Sequence, residues 1–180
     1  MSKNIVVVSG SPRTNGNTEI IADAFIKGAE AAGNTVTKLL LSTLKINGCT
    51  DCKYCFSHEG QCVQRDGMDD IYPALRNADM LVFATPIYFH GFTAQMKAMI
   101  DRLYVAMGKS FPITETALLT VYADTDTTVC EPIIAHYTAF TEYLKWENKG
   151  IIAVDSVEEK GDISGHPSLK LAEQLGSEIR

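Results

Sequence analysis

At 180 residues the chain has the length of one domain with a sizeable core, and its 46% hydrophobic and 21% charged content is that of an ordinary globular protein. No apolar run reaches the roughly 20 residues that a membrane helix needs, and a net charge of −6 without a Lys/Arg block lacks the basic footprint of a nucleic-acid binder. The head of the chain runs from Met1 straight into Ile5–Val8 with no small-residue cleavage site, which predicts no signal peptide, a cytoplasmic location and reduced cysteines.

The first apolar run, Ile5–Val8, reads as a buried strand. It leads into Ser9-Gly10-Ser11-Pro12-Arg13-Thr14-Asn15-Gly16-Asn17-Thr18, and then into a helix expected over Thr18–Ala32 that stops at Gly33. Free N–H groups at a helix start favour an anion, hydroxyl and amide side chains add donors, and Arg13 supplies a charged partner for phosphate oxygens. Gly10 and Gly16 let backbone come close, but the spacing matches neither G-x-x-x-x-G-K-[ST] nor G-x-G-x-x-G. Taken by composition alone, the same residues also make an ordinary turn with a helix cap.

A second strand is expected over Val36–Leu41, followed by a long irregular segment, residues 42–67. It holds four of the five cysteines as Cys49-x2-Cys52-x2-Cys55-x6-Cys62. Three thiolates at three-residue intervals can wrap one face of an iron–sulfur cubane, with the fourth arriving from further on. Tetrahedral zinc is the rival, although its usual frame is two separated Cys-x-x-Cys pairs. A redox dithiol such as Cys52 with Cys55, or a loop that only packs near a ligand, also fits these residues.

A short helix over Met68–Arg76 and a strand over Met80–Ala84 come next. Thr85-Pro86-Ile87-Tyr88-Phe89-His90-Gly91-Phe92 then offers an apolar, aromatic wall for a flat ligand; the same aromatics could instead fill core or a subunit contact. His90, a lone loop histidine, reads more readily as solvated or capping than as an acid. Helices are expected over Ala94–Met107, Val129–Leu144 and Ser168–Ile179, and strands over Ala117–Tyr122 and Ile151–Val154. Cys130, at a helix start, reads as a small buried hydrophobe or a mildly activated thiol. Strands alternating with helices, each strand apolar throughout, predict a three-layer α/β sandwich. Its five-stranded parallel sheet is expected in the flavodoxin-like order 2-1-3-4-5, as a single domain over 1–180.

Taken together, Ser9–Arg13, Asn15–Thr18, Thr85–Tyr88 and Gln95–Arg102 resemble the NADPH-dependent FMN reductase family, over a stretch from Ile5 to Val154. The resemblance implies a flavodoxin-like fold binding FMN, with Ser11, Arg13, Asn15, Asn17 and Thr18, beside Ser9 and Gly16, at the phosphate. It places Pro86, Ile87, Tyr88 and Phe89 along the isoalloxazine ring, and Ala123 and Asp124 at a third wall. The cysteine spacing resembles the iron–sulfur flavoprotein branch, which implies Cys49, Cys52, Cys55 and Cys62 as ligands of a [4Fe–4S] cluster. NAD(P)H or a reduced ferredoxin is the implied donor, and a quinone, free flavin or protein the implied acceptor. Homodimers or homotetramers are common in the family. No general acid is assigned, since hydride transfer to a flavin needs none from the protein. An electron carrier without a small-molecule substrate, or a zinc-stabilised binding module, would share many of these features.

Overall fold

The computed structural model describes residues 2–180; Met1, at the head of the expected 1–180 domain, lies outside them. The apolar runs become β1 (Asn4–Ser9), β2 (Thr35–Leu40), β3 (Met80–Pro86), β4 (Glu115–Val121) and β5 (Glu147–Val154). The helices are α1 (Asn17–Ala31), α2 (Tyr54–Ser57), α3 (Met68–Leu75), α4 (Ala94–Arg102), α5 (Glu131–Tyr143) and α6 (Ser168–Glu178). All strand pairings are parallel, in the expected order β2-β1-β3-β4-β5.

The pleat explains why the central strands are apolar at every position. Ile5 and Val7 of β1, with Met80, Val82 and Ala84 of β3, face the layer that holds Ile21, Phe25 and Ala29 of α1 and Ala172 of α6. Val6, Val8, Leu81 and Phe83 face the other layer, with Leu75, Met96, Met99, Ile133 and Tyr137 of α3, α4 and α5. Phe83 is the hinge of that second core, its ring 6.5, 6.0 and 5.4 Å from those of Phe92, Tyr137 and Phe140. β2 pairs with β1 alone and is only half covered, as an edge strand should be.

Two expected helices change character at an end. The segment 94–107 is α-helical only to Arg102 and tightens to a 3₁₀ turn over Leu103–Met107. The Arg102 carbonyl there accepts the Tyr72 hydroxyl at 3.1 Å, which draws it away from the regular ladder. The segment from Thr127 begins as a 3₁₀ turn capped by Asp126, whose carboxylate accepts the Thr128 N–H at 2.9 Å, before α5 starts with Pro132 in its first turn. The irregular segment also holds more structure than its sequence announces, since α2 carries Cys55 inside it.

α1 and α6 run so close that each needs a glycine. A Cβ on Gly28 would strike the Glu173 carbonyl, and one on Gly176 would strike the Phe25 carbonyl. We therefore expect Gly176→Ala to cost about 1–3 kcal/mol by overpacking, read as a drop in thermal midpoint by circular dichroism. An unchanged midpoint would show that the two helices can part without loss.

Candidate functional site

β1 and β3 lie side by side, yet the chain leaves them for opposite faces, towards α1 and α4. A crevice must open between the two connections at the carboxyl ends of the strands. Its halves are bonded together by Thr93, the N-cap of α4. The Thr93 hydroxyl donates to the Gly10 carbonyl at 2.7 Å, and its oxygen accepts the Met96 N–H at 3.3 Å. Gly10 has no room for a side chain here, because a Cβ would stand 2.9 Å from Met96 Cβ.

The recess in this crevice measures about 150 Å³. Ser11, Arg13, Gly16, Asn17 and Thr18 form one wall and Pro86, Ile87 and Tyr88 the other, over Val121, Tyr122 and Ala123. Ser11 holds its loop in shape, its Oγ accepting the Arg13 N–H and donating to the Arg13 carbonyl, both at 3.1 Å. Asn15 sits at the corner of that loop with φ of 50°, its N–H given to the Glu19 carboxylate at 2.9 Å. α1 begins at Gly16 with no side chain capping it among the described residues, so its first N–H groups are left for a ligand. Ser9 and Asn15 do not line the recess; Ser9 Oγ, at the end of β1, is buried and has no hydrogen-bond partner among the described residues. These features fit a phosphate.

Phe89 is not brought to the recess. Phe89 and His90 both have positive φ, 50° and 64°, and form a tight turn closed by Tyr88 N–H to Gly91 O at 3.0 Å and Gly91 N–H to Tyr88 O at 3.1 Å. Two non-glycine residues in left-handed backbone cost of order 1–3 kcal/mol each. The turn lifts the Phe89 ring wholly into solvent and leaves His90 exposed. Asp124 does not line the recess either; its carboxylate accepts the Asp126 N–H at 3.0 Å.

The fourth wall gives no local signal in the sequence. Val157, Glu158 and Lys160, in the connection after β5, line the recess. Arg13 donates to the Glu158 carbonyl at 3.0 Å, Asn17 donates to the Glu159 carbonyl at 2.7 Å and accepts the Gly161 N–H at 2.8 Å, and Lys160 donates to the Thr14 carbonyl at 3.2 Å. A run of charged residues with a glycine, Glu158–Gly161, announces a turn but not its destination, which lies about 145 residues back along the chain. On the floor, burial and the neighbouring Cys130 push the Tyr122 phenol up to about 12, so it is a neutral hydrogen-bonding group at physiological pH.

The second assembly is the cysteine segment. Asp51 and Lys53 take left-handed backbone, φ of 50° and 57°, and these corners curl the chain so that Cys49, Cys52, Cys55 and Cys62 line one small recess with Arg102, Tyr104 and Val105. Cys49 and Cys52 are exposed, Cys62 half-buried and Cys55 buried. Burial, and then the nearby Cys62, Cys49 and Cys52, push the Cys55 thiol up. Four thiols lining one recess are a donor set of the kind that takes a soft, multivalent cation. The thiols are not drawn to one point: no group of three or more His, Cys, Asp or Glu among the described residues stands close enough to hold a metal ion. Cys130 lies elsewhere, its Sγ 3.0 Å from the Thr127 carbonyl.

Arg102 ties this segment to the fold. It is 1% exposed and pairs with Asp66 at 2.8 Å, and the same nitrogen donates to the Asn47 carbonyl at 3.0 Å. Asp66 also accepts the Asn47 N–H and the Met68 N–H, each at 3.0 Å, so both roots of the cysteine segment converge on one ion pair. Burial alone would raise the Asp66 carboxyl, but the guanidinium and the two backbone N–H groups outweigh it and hold it below its ordinary 3.8.

A larger concavity of about 780 Å³ lies between Cys62 and Phe111. It is an open groove whose two arginines are committed. Arg76 donates to the Gly60, Lys109 and Ser110 carbonyls, and Arg65 pairs with Asp69. The smaller crevice differs in lying at the carboxyl ends of the strands, with the start of α1 uncapped by any side chain among the described residues.

The family model described as NADPH-dependent FMN reductase matches residues 3–125. An iron-sulfur flavoprotein of Archaeoglobus fulgidus is 43% identical over 98 residues, 54% of this chain and 44% of that protein. One from Methanosarcina thermophila is 34% identical over 109 residues, 61% of this chain and 56% of that protein. The chain thus spans about half the length of these relatives. Among solved structures, an NAD(P)H:quinone oxidoreductase from Methanothermobacter marburgensis has a TM-score of 0.78 at 18% identity, covering 100% of this chain and 98% of that one, a likeness that shows the fold. No helix among the described residues is long and apolar enough to cross a membrane.

Because the Asp66 carboxyl is depressed in the fold, its stabilising contribution is present at neutral pH and is lost as pH falls through that depressed value. Asp66→Asn should cost about 1.5–3 kcal/mol at neutral pH, the worth of a hydrogen bond to a charged group. In urea unfolding, the gap between wild type and this variant should narrow below about pH 4. A gap independent of pH would show that the carboxylate charge does not matter.

Proposed function

Because this chain belongs to the NADPH-dependent FMN reductase family, we propose that it is a single FMN-binding domain over 1–180 that acts as an FMN-dependent oxidoreductase. NAD(P)H is its donor, and a small molecule or a protein redox partner its acceptor. The observation that carries this reading is the crevice itself, where an uncapped helix start faces an apolar wall at the carboxyl ends of β1 and β3. Ser11, Arg13, Gly16, Asn17 and Thr18 hold the phosphate, whereas Ser9 and Asn15, expected with them, do not line the recess; Arg13 spends one nitrogen on Glu158 and keeps further N–H groups for it. Pro86, Ile87 and Tyr88 flank the ring, and Phe89, expected beside them, takes no part. FMN supplies hydride acceptance and the release of electrons one at a time.

Cys49, Cys52, Cys55 and Cys62 hold a [4Fe–4S] cluster in this reading, and its supports are the donor set, the shared recess and the spacing. Such a cluster supplies single-electron exchange. The chain acts in the cytoplasm as a homodimer or homotetramer. Phe56 stacked on Tyr104 at 5.8 Å, with exposed Met107 and Tyr143 in contact, gives the apolar surface such an assembly would cover.

Protein purified without oxygen should show flavin absorption and about four irons with matching sulfide per chain; flavin without iron would remove the cluster and leave the reductase. Arg13→Ala should weaken FMN by about ten- to a hundredfold, the worth of a charge-assisted hydrogen bond, while riboflavin, which lacks the phosphate, should bind as before. Equal losses for both ligands in a fluorescence titration would place Arg13 away from the phosphate.

A further inference from the structure

The side chains of the phosphate loop are largely committed to protein partners. Asn17 gives both ends of its amide to the connection after β5, to the Glu159 carbonyl at 2.7 Å and the Gly161 N–H at 2.8 Å. What it keeps for an anion is its backbone N–H. Ser11 Oγ is bonded to the Arg13 N–H and carbonyl, and Arg13 gives one nitrogen to the Glu158 carbonyl. A phosphate monoester carries close to two negative charges at neutral pH, and Arg13 is the one cationic side chain from Ser9 to Thr18. The connection after β5 brings a second. Lys160 stands between the two residues that Asn17 pins, lines the recess with Arg13, and donates to the Thr14 carbonyl at 3.2 Å. An ammonium has three donors, so that bond leaves two. Neither Lys160 nor Arg13 has an ion-pair partner among the described residues. The carboxylates around them are engaged elsewhere: Asp162 accepts the Glu158 and Glu159 N–H groups at 3.1 and 2.6 Å, and Glu19 accepts the Asn15 N–H and lies 3.7 Å from Lys38. Glu158 is the one acidic residue on the lining; it is exposed, and it presents its carbonyl to Arg13.

We infer that Lys160 is a phosphate-binding residue of the crevice, its ammonium and the Arg13 guanidinium together meeting the charge of the FMN phosphate. This rests on the FMN reading above and goes beyond it, because it gives a cofactor contact to a part of the chain outside the matched residues 3–125. The two cations suit different tasks. The guanidinium is a rigid, flat fork, whereas the ammonium is a compact charge on a flexible stem that can turn its free donors to a phosphate oxygen. The bond to Thr14 already sets that charge against the phosphate loop. The two bonds of Asn17 to the residues on either side of Lys160 hold the turn in place, so the lysine is carried to the recess by backbone and not by its own reach alone.

The test titrates FMN and riboflavin, followed by flavin fluorescence, into the whole chain freed of flavin, as wild type, Lys160→Gln and Lys160→Glu. Lys160 is exposed, so neither substitution disturbs a core. Phosphorus NMR of bound FMN between about pH 5 and 8, across the second ionisation of a phosphate monoester, supplies a readout of the phosphate itself. Lys160→Gln should weaken FMN by about five- to thirtyfold, less so at high salt, and Lys160→Glu should weaken it further, while riboflavin binds both variants as it binds wild type. The phosphate bound to Lys160→Gln should take up its proton at a higher pH than in wild type, since one cation that favours the dianion is gone. The inference is overturned if Lys160→Gln binds FMN as wild type does, or if FMN and riboflavin lose affinity equally, since Lys160 would then only strap the turn to Thr14. It is also overturned if the glutamine and glutamate variants bind FMN alike or the phosphate titrates as in wild type, because the effect would not be one of charge at the phosphate. A wild type that binds neither flavin would fail the FMN reading itself, and this inference with it.

Discussion

One buried ion pair holds the two halves of this molecule in relation. The Arg102–Asp66 contact at 2.8 Å joins the last residue of α4 to the end of the cysteine segment. α4 is also the helix whose N-cap, Thr93, is bonded to the β1–α1 connection. The ligand crevice and the cysteine recess are therefore mounted on opposite ends of the same nine-residue helix. Taking two charges out of water is costly, and such a pair is weak evidence for stability in itself. Its value here is geometric, because the Asn47 carbonyl and N–H at one root of the segment and the Met68 N–H at the other converge on it.

The sheet supplies the other constraint. Parallel strands buried on both faces admit one register, since a slip by one residue would turn Val6 and Val8 into the place of Ile5 and Val7 and exchange the two cores. With the register fixed, the ends of β1 and β3 are fixed, and so is the width of the crevice between them. Thr116 and Thr120 of β4 add hydroxyl bonds to the Leu81 and Thr85 carbonyls at 2.8 Å each, stiffening the strand that carries Pro86 and Ile87.

Much of this was legible in the sequence, and the parts that were not share a cause. Strand order, both ligand loops and the cysteine recess follow from local signals: apolar runs, Gly and Asn at a helix start, and repeated Cys-x-x-Cys. The wall formed by Val157, Glu158 and Lys160 could not be read, because only tertiary folding brings it to Arg13 and Asn17. Arg102 was read as part of a family motif, but nothing local marks a buried arginine; its partner Asp66 is 36 positions away. The placing of Phe89 escaped for a different reason. Sequence shows an aromatic residue beside Tyr88, and only the backbone angles of 50° and 64° at Phe89 and His90 show that the turn faces outward.

Four hydrogen bonds, made by Arg13, Asn17 and Lys160, join the connection after β5 to the start of α1. The family match ends at residue 125, so the 158–161 side of this clasp lies outside it. Two of those bonds share the single side chain of Asn17. A change in the 158–161 turn alone would therefore loosen the phosphate loop while leaving Pro86, Ile87 and Tyr88 as they are.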